Sequence, residues 1–249
     1  LRADIVPAVV APGTEVLVGG QSAFSVDFLE QTGTYTPIVF LFVLGLSFVL
    51  LTVAFRSIVI PAKAIVMNLL SVGAAYGLVV AFFQAGVGPG WVKSIAASLG
   101  FRQVEVIEAF IPLFMFSVLF GLSMDYHVFL LSRIKERFDV TRDNAESVAY
   151  GLRNTGSLIT GAALIMLGVF GGFAAGRLAP LQQMGFGLGV AVLLDATIVR
   201  TVVVPASMKL LGSRNWYFPS WLEWIPKVSI EGVSHDEVIP EATPEPVSV

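Results

Sequence analysis

Residues 109–131 read AFIPLFMFSVLFGLSMDYHVFLL, and they carry a single formal charge, at Asp125. A helix crosses the hydrocarbon core of a bilayer with roughly 20 mostly apolar residues. The stretch therefore predicts a transmembrane helix with an acid held inside it. Residues 37–55, 64–83 and 158–175 are equally apolar and uncharged, and residues 184–204 contain only Asp195 and Arg200. The whole chain has the same bias: of its 249 residues 55% are hydrophobic and 13% charged. A soluble domain carries about 25% charged residues. Half that charge does not cover a soluble enzyme's surface, and so apolar a chain does not stay disordered in water. The expected fold is an all-α membrane protein, a five-helix polytopic bundle over residues 35–212 with a short external segment before it.

Composition also excludes chemistries. The net charge of −3 gives no basic footprint for nucleic acid. Without Cys there is no thiolate metal site or Cys nucleophile, and two distant His residues, His127 and His235, do not make a classical zinc site. The chain has no phosphate-binding loop of the GxxxxGK[ST] pattern, and no catalytic cluster at productive spacing. We expect neither an enzyme nor a cofactor.

Five spans alternate sides, which sorts the Lys and Arg residues into two sets. One holds ten: Arg56, Lys63, Arg133, Lys135, Arg137, Arg142, Arg153, Lys209, Arg214 and Lys227. The other holds Arg2, Lys93, Arg102 and Arg177. The positive-inside rule assigns the larger set to the cytoplasm, which puts the N-terminus outside and the C-terminus inside. Trp216, Tyr217, Trp221 and Trp224, within residues 213–227, read as an aromatic belt at the inner interface. No signal sequence precedes the first span, so an external N-terminus reads as part of a longer protein. Residues 1–34 then read as the remnant of an external domain, with a strand over residues 15–20. Trp91, Ile95 and Leu99 recur at helical spacing and predict a short helix lying on the outer surface. Asp143 and Glu146 resemble a capping box opening an amphipathic helix on the inner side. Residues 228–249, with five acids and no Lys or Arg, read as a disordered cytoplasmic tail.

An ionisable group in mid-membrane costs about 2.5–3.5 kcal/mol on insertion scales, so it is a functional candidate by default. Asp125 is the clearest. Ser117, Gly121 and Asp125 fall at i, i+4 and i+8, a face whose small residues admit another helix. Desolvation disfavours the anion, so a carboxyl packed there can bind and release a proton. Tyr126 follows about 100° round the helix, its hydroxyl placed for a partner across the interface. Gly187, Ala191 and Asp195 repeat the pattern in the fifth span. Asp195 reads either as a second proton-binding group or as helix glue held by hydroxyls or by Arg200. Thr160 reads either as a hydrogen-bond donor to a carboxyl or as bonded back to its own helix. His127, near the inner end of its span, reads as a hydrated structural residue that could also titrate, and Arg200 as snorkelling to the interface. Gly73 with Gly77, and Gly168 with Gly172, are small-xxx-small pairs expected to serve helix packing.

Residues 120–126 (FGLSMDY), followed by 128–134 (VFLLSRI), resemble the signature of the MMPL family within the RND superfamily. Residues 54–57 (AFRS), 68–77 (NLLSVGAAYG), 159–166 (ITGAALIM), 194–200 (LDATIVR) and 212–216 (GSRNW) continue the resemblance in the family's order. The resemblance implies a twofold-repeated transporter, each half having one span, an external porter domain and five more spans. This chain is similar to the second half from the end of its porter domain, that is, half of an RND-type transmembrane domain. The other half is then a missing partner. The resemblance also implies a proton relay through Asp125 and Tyr126, paired with an equivalent Asp-Tyr of that other half. His127 stands where many relatives carry an acidic or other polar residue.

The expected function is export of lipids, hydrophobic small molecules or drugs across a bacterial inner membrane, driven by the proton-motive force. The expected partners are membrane lipids, the missing N-terminal half and a hydrophobic substrate. The alternatives are a non-transporting lipid-sensing or scaffolding module, in which Asp125 only specifies packing, and a half-size protein working as a dimer.

Overall fold

The structure, a computed structural model, describes residues 9–10, 16 and 19–224. In the membrane every backbone polar group must be satisfied within the chain, and a helix does this segment by segment. The long apolar runs become α1 (Gln21–Phe55), α2 (Val59–Phe83), α4 (Phe110–Thr141), α5 (Asn144–Ala174) and α6 (Ala179–Leu194). The short α3 (Gly90–Ser98) lies between α2 and α4. After α6 the chain continues without a break as a π-helix over Asp195–Val203, then as α7 (Val204–Leu211). Two 3-10 turns follow, at Gly212–Trp216 and Ser220–Leu222. Five helical stretches are long and apolar enough to cross a membrane. The chain is thus an all-α membrane bundle, as its composition predicts. The described residues contain no strand, only an isolated bridge between Gln84 and Val104.

Several helices outrun the apolar spans that predict them. α1 has 35 residues, a length of about 52 Å at 1.5 Å per residue. The third span continues through charged residues to Thr141, where Arg142 in left-handed conformation (φ 57°) ends it. The amphipathic inner helix and the fourth span are one helix, α5. Asp143 caps it, its Oδ1 accepting from the amides of Ala145 (2.8 Å) and Glu146 (3.1 Å). Glu146 does not close the box. Its carboxylate accepts from Arg137 of α4 instead. α3 buries Val92 and Ala96 and turns Trp91, Ile95 and Leu99 outward. The expected strand at 15–20 lies outside the described residues except for Val16, Gly19 and Gly20, and the tail at 228–249 lies wholly outside them.

α2, α4 and α6 pack on one another, α5 against α4 and α6, and α1 against α2 and α4. The closest approaches are made at glycines. A Cβ on Gly185 would sit 2.4 Å from the Ala174 amide nitrogen and 2.5 Å from the Phe170 carbonyl. One on Gly187 would meet Met115 and Val79 within 2.8 Å, and one on Gly151 would meet Ile134 at 2.4 Å. Helices in lipid associate through such close packing. Gly73, Gly77, Gly168 and Gly172 instead face open space, so the small-xxx-small pairs read from sequence make no helix contact in this chain. Tertiary packing, not the spacing motif, selects which glycines meet a neighbour.

Two apolar cores result. One holds Val79, Phe83, Ile111, Met115, Phe116, Phe120, Leu188 and Val192. The other, toward the charge-rich loops, holds Phe55, Ile60, Leu130, Leu131, Ile134, Val199 and Met208. On each of the three inner helices, a short polar stretch of sequence separates the two.

Candidate functional site

That separating layer is the site. It is built from Asn68 and Ser71 of α2, Ser123, Tyr126 and His127 of α4, and Asp195 and Arg200 of the π-helix. All but Tyr126 are buried. Arg200 Nη2 donates to Asp195 Oδ2 at 2.8 Å and to the Ser123 carbonyl at 3.2 Å. Ser123 Oγ donates to the same carboxylate oxygen at 3.0 Å. His127 Nδ1 lies 3.2 Å from the Ser123 carbonyl and 3.5 Å from its hydroxyl. The Arg200 guanidinium stands 4.8 Å over the Tyr126 ring, whose hydroxyl donates to Met166 Sδ at 3.5 Å. A cavity of about 20 Å³, lined by Asn68, Ser71, Tyr126, Met166, Asp195 and Arg200 among others, adjoins the pair. That volume holds about one water molecule.

The π-helix explains the ion pair. Five residues along an α-helix turn the chain about 500°, which leaves i and i+5 on different faces. A π-helix bonds i to i+5 and brings them into line. Arg200 therefore does not snorkel to the interface as its position suggested. It folds back on Asp195 and is 2% exposed. His127, expected to be hydrated, is also 2% exposed, within electrostatic range of Arg200, Asp195 and Lys63. Arg200 donates to the Ser123 carbonyl of α4, which His127 Nδ1 also approaches, so the buried polar groups partner one another.

The two i, i+4, i+8 stripes part company here. Gly187, Ala191 and Asp195 face the bundle interior. Ser117, Gly121 and Asp125 all face outward. Ser123 precedes Asp125 by two residues, about 200° of helix rotation, so a buried Ser123 turns Asp125 away. Ser117 Oγ donates back to the Leu113 carbonyl at 2.9 Å, and a Cβ on Gly121 would meet nothing within 4 Å. Asp125 forms no ion pair among the described residues. Thr160 is also exposed, and at its turn Ile159 lines the cavity. The structure thus brings Tyr126, His127 and Asp195 together and leaves Asp125 and Thr160 on outer faces. Sequence reasoning passed over Asn68, Ser71 and Ser123 as site residues. The available signal was two polar residues at i and i+3 inside an otherwise apolar span.

The bundle thus carries two kinds of acid, one in the layer and one outside it. Asp195 is neutralised in place by Arg200 and hydrogen-bonded by Ser123. Asp125, on an outer face of the same bundle, has no cation partner among the described residues. The described residues hold no cluster of three or more His, Cys, Asp or Glu suited to a metal ion.

The chain is 41% identical to the mycolic acid-containing lipids exporter MmpL11 of Mycolicibacterium smegmatis, over 93% of this chain and 23% of that protein. It is 40% identical to the heme uptake protein MmpL11 of Mycobacterium tuberculosis, over 93% of this chain and 23% of that protein. It is 38% identical to the trehalose monomycolate exporter MmpL3 of M. smegmatis, over 85% of this chain and 20% of that protein. The chain thus spans about a quarter or less of the length of these curated relatives. The model of the MMPL family matches residues 2–226, and this chain, with its five candidate spans, belongs to the MMPL family of membrane proteins.

Proposed function

We propose that this chain is one membrane unit of a proton-driven exporter of lipids or other hydrophobic small molecules, with Asp125 as the group that takes up and releases the proton. The carrying observation is the outward Ser117–Gly121–Asp125 stripe. A carboxylate on a lipid-facing surface at mid-membrane costs about 2.5–3.5 kcal/mol or more. A second helical unit packed on the small residues of that stripe would remove the cost and give Asp125 a partner. Protonation would then change which packing of the two units is cheapest, and the transmembrane potential supplies about 2.3 kcal/mol per charge per 100 mV to drive the cycle. Tyr126 sits at the boundary between the stripe and the buried layer, and its ring contacts Arg200. Asp195 and Arg200 are the stationary support in this reading, with His127 and Thr160 outside the proton's path. Lipids as cargo follow from two of the relatives, which are named as exporters of lipids.

The test is Asp125→Asn in the complete transporter, placed in liposomes with an internal pH dye and an imposed potential. Loss of proton flux and of lipid export together, with the folded amount unchanged, is expected. Undiminished flux in the variant would remove Asp125 from the relay. The exposed stripe equally suits a second copy of this chain. Native mass of the purified chain separates the two arrangements: a dimer that Gly121→Phe dissociates favours self-pairing.

A further inference from the structure

Lys63 is the one cation of the first two spans that reaches into the fold, and its surroundings do not balance it. It lies four residues into α2, about 6 Å along the helix from its start. Its Nζ donates to Asn215 Oδ1 at 3.2 Å. Among the described residues it has no carboxylate partner. Asn215 is neutral and fully engaged: its Nδ2 donates to the carbonyls of Met208 (2.8 Å) and Gly212 (2.7 Å), and its own carbonyl accepts from Ser57 Oγ (2.6 Å). An ammonium has three donors, so two remain for another ligand. A half-buried charge without a counter-ion is costly and points to an anion that completes it.

The same lysine lines a shallow, open groove along one face of α2, with Ile58, Val59, Ala62, Val66 and Met67, all of them from this one helix and its cap. Apart from Lys63 this lining is apolar, and Val66 is 65% exposed. The groove's head lies at the level of the aromatic segment. The Ile58 amide donates to the Tyr217 carbonyl at 3.3 Å, and beyond it Tyr217, Trp221 and Trp224 are exposed. Exposed Trp and Tyr mark the headgroup depth of a membrane. One positive group at headgroup depth, beside an open apolar face of a spanning helix, matches the two ends of a phospholipid. The amides of Val59 and Ile60 are already taken by Ser57 Oγ (3.2 and 3.3 Å), so the helix terminus itself offers the ligand nothing there.

We propose that this groove is a binding site for an anionic phospholipid, its headgroup phosphate on Lys63 and one acyl chain along Ala62 and Val66. The site rests on the membrane bundle alone and does not depend on the transport reading. A basic residue near the membrane surface is worth about 1 kcal/mol toward an anionic lipid, which is about fivefold in affinity.

The test uses the purified chain in a non-ionic detergent. Native mass spectrometry counts adducts of phosphatidylglycerol and of phosphatidylcholine with matched acyl chains, and inorganic phosphate serves as a competitor. The wild type should hold one phosphatidylglycerol with about fivefold preference over phosphatidylcholine. Lys63→Gln, which can still donate to Asn215, should abolish the preference, and Lys63→Arg should keep it. Val66→Trp, which sets a bulky ring on the face where the acyl chain would lie and takes no part in the Asn215 contacts, should lower the occupancy of both lipids. Unchanged preference in Lys63→Gln, or unchanged occupancy in Val66→Trp, would overturn the site. Displacement of the lipid by millimolar phosphate would overturn it too, by showing an anion site without an acyl-chain component. If Lys63→Gln melts early, the Val66→Trp result alone decides.

Discussion

Removing one member of the Asp195–Arg200 pair should cost far more than removing both. The carboxylate side chain is 10% exposed and the guanidinium 3%. Asp195→Asn takes away the charge that Arg200 meets at 2.8 Å. It leaves the guanidinium with the Ser123 carbonyl at 3.2 Å, the Tyr126 ring face and a neutral amide oxygen, and with Nε and Nη1 already without partners. A buried charge left uncompensated costs about 3–5 kcal/mol. Arg200→Met strands the carboxylate in the same way, with the Ser123 hydroxyl at 3.0 Å as its remaining donor. It should cost about 3 kcal/mol or more. In the double variant no charge is buried and the new amide oxygen at position 195 keeps the Ser123 hydroxyl as its donor, so the loss should fall to about 1–2 kcal/mol. Unfolding of the purified chain by SDS in mixed micelles, followed by circular dichroism, gives the four free energies. The expected coupling is about 4 kcal/mol or more, well outside additivity. Additive losses, or single losses under about 1 kcal/mol, would refute the reasoning. A third variant separates ion pairing from hydroxyl support: Ser123→Ala should cost only about 1 kcal/mol, since side-chain hydrogen bonds in membranes average near 0.6.

The glycine contacts give a second set of outcomes. Gly185→Val drives Cβ onto the backbone of Ala174 and Phe170 and should separate α5 from α6, with a loss of about 3 kcal/mol or failure to express as a folded monomer. Gly121→Leu, facing open space, should leave the melting temperature of the purified chain within a degree or two while abolishing export by the complete transporter. Equal damage to both readouts would mean that Gly121 packs inside this unit. Asn215→Ala removes acceptor and donors for Lys63, Met208 and Gly212 and should cost about 2–3 kcal/mol. It should also release the Trp216 ring from its stack on Phe138 (4.8 Å), which a red shift of the tryptophan emission would report.

How far the chain could be read without its fold depends on what each inference needs. The five spans, their order and the short surface helix needed only apolar run length and periodicity, because a bilayer leaves a long apolar segment one way to satisfy its backbone. The family likewise followed from local motifs such as those at residues 120–134 and 194–200. The two acids were visible as costly exceptions inside apolar runs. Their surroundings were not. Both sit at the end of an identical small-xxx-small-xxx-Asp stripe, yet one stripe faces inward and the other outward. Helix rotation is set by the partner helices, and no spacing within one helix contains it. The pairing of Asp195 with Arg200 needed a π-turn, and a five-residue separation read on an ordinary helix argues against contact. The lone ammonium of Lys63 likewise became visible only when the chain brought Asn215, 152 residues away, beside it. Sequence alone therefore determined that this protein lies in a membrane and where its charges are. Only the tertiary structure decided which charges are balanced inside the bundle and which, among the described residues, are left without an ion-pair partner, because helix rotation is fixed by the neighbouring helices.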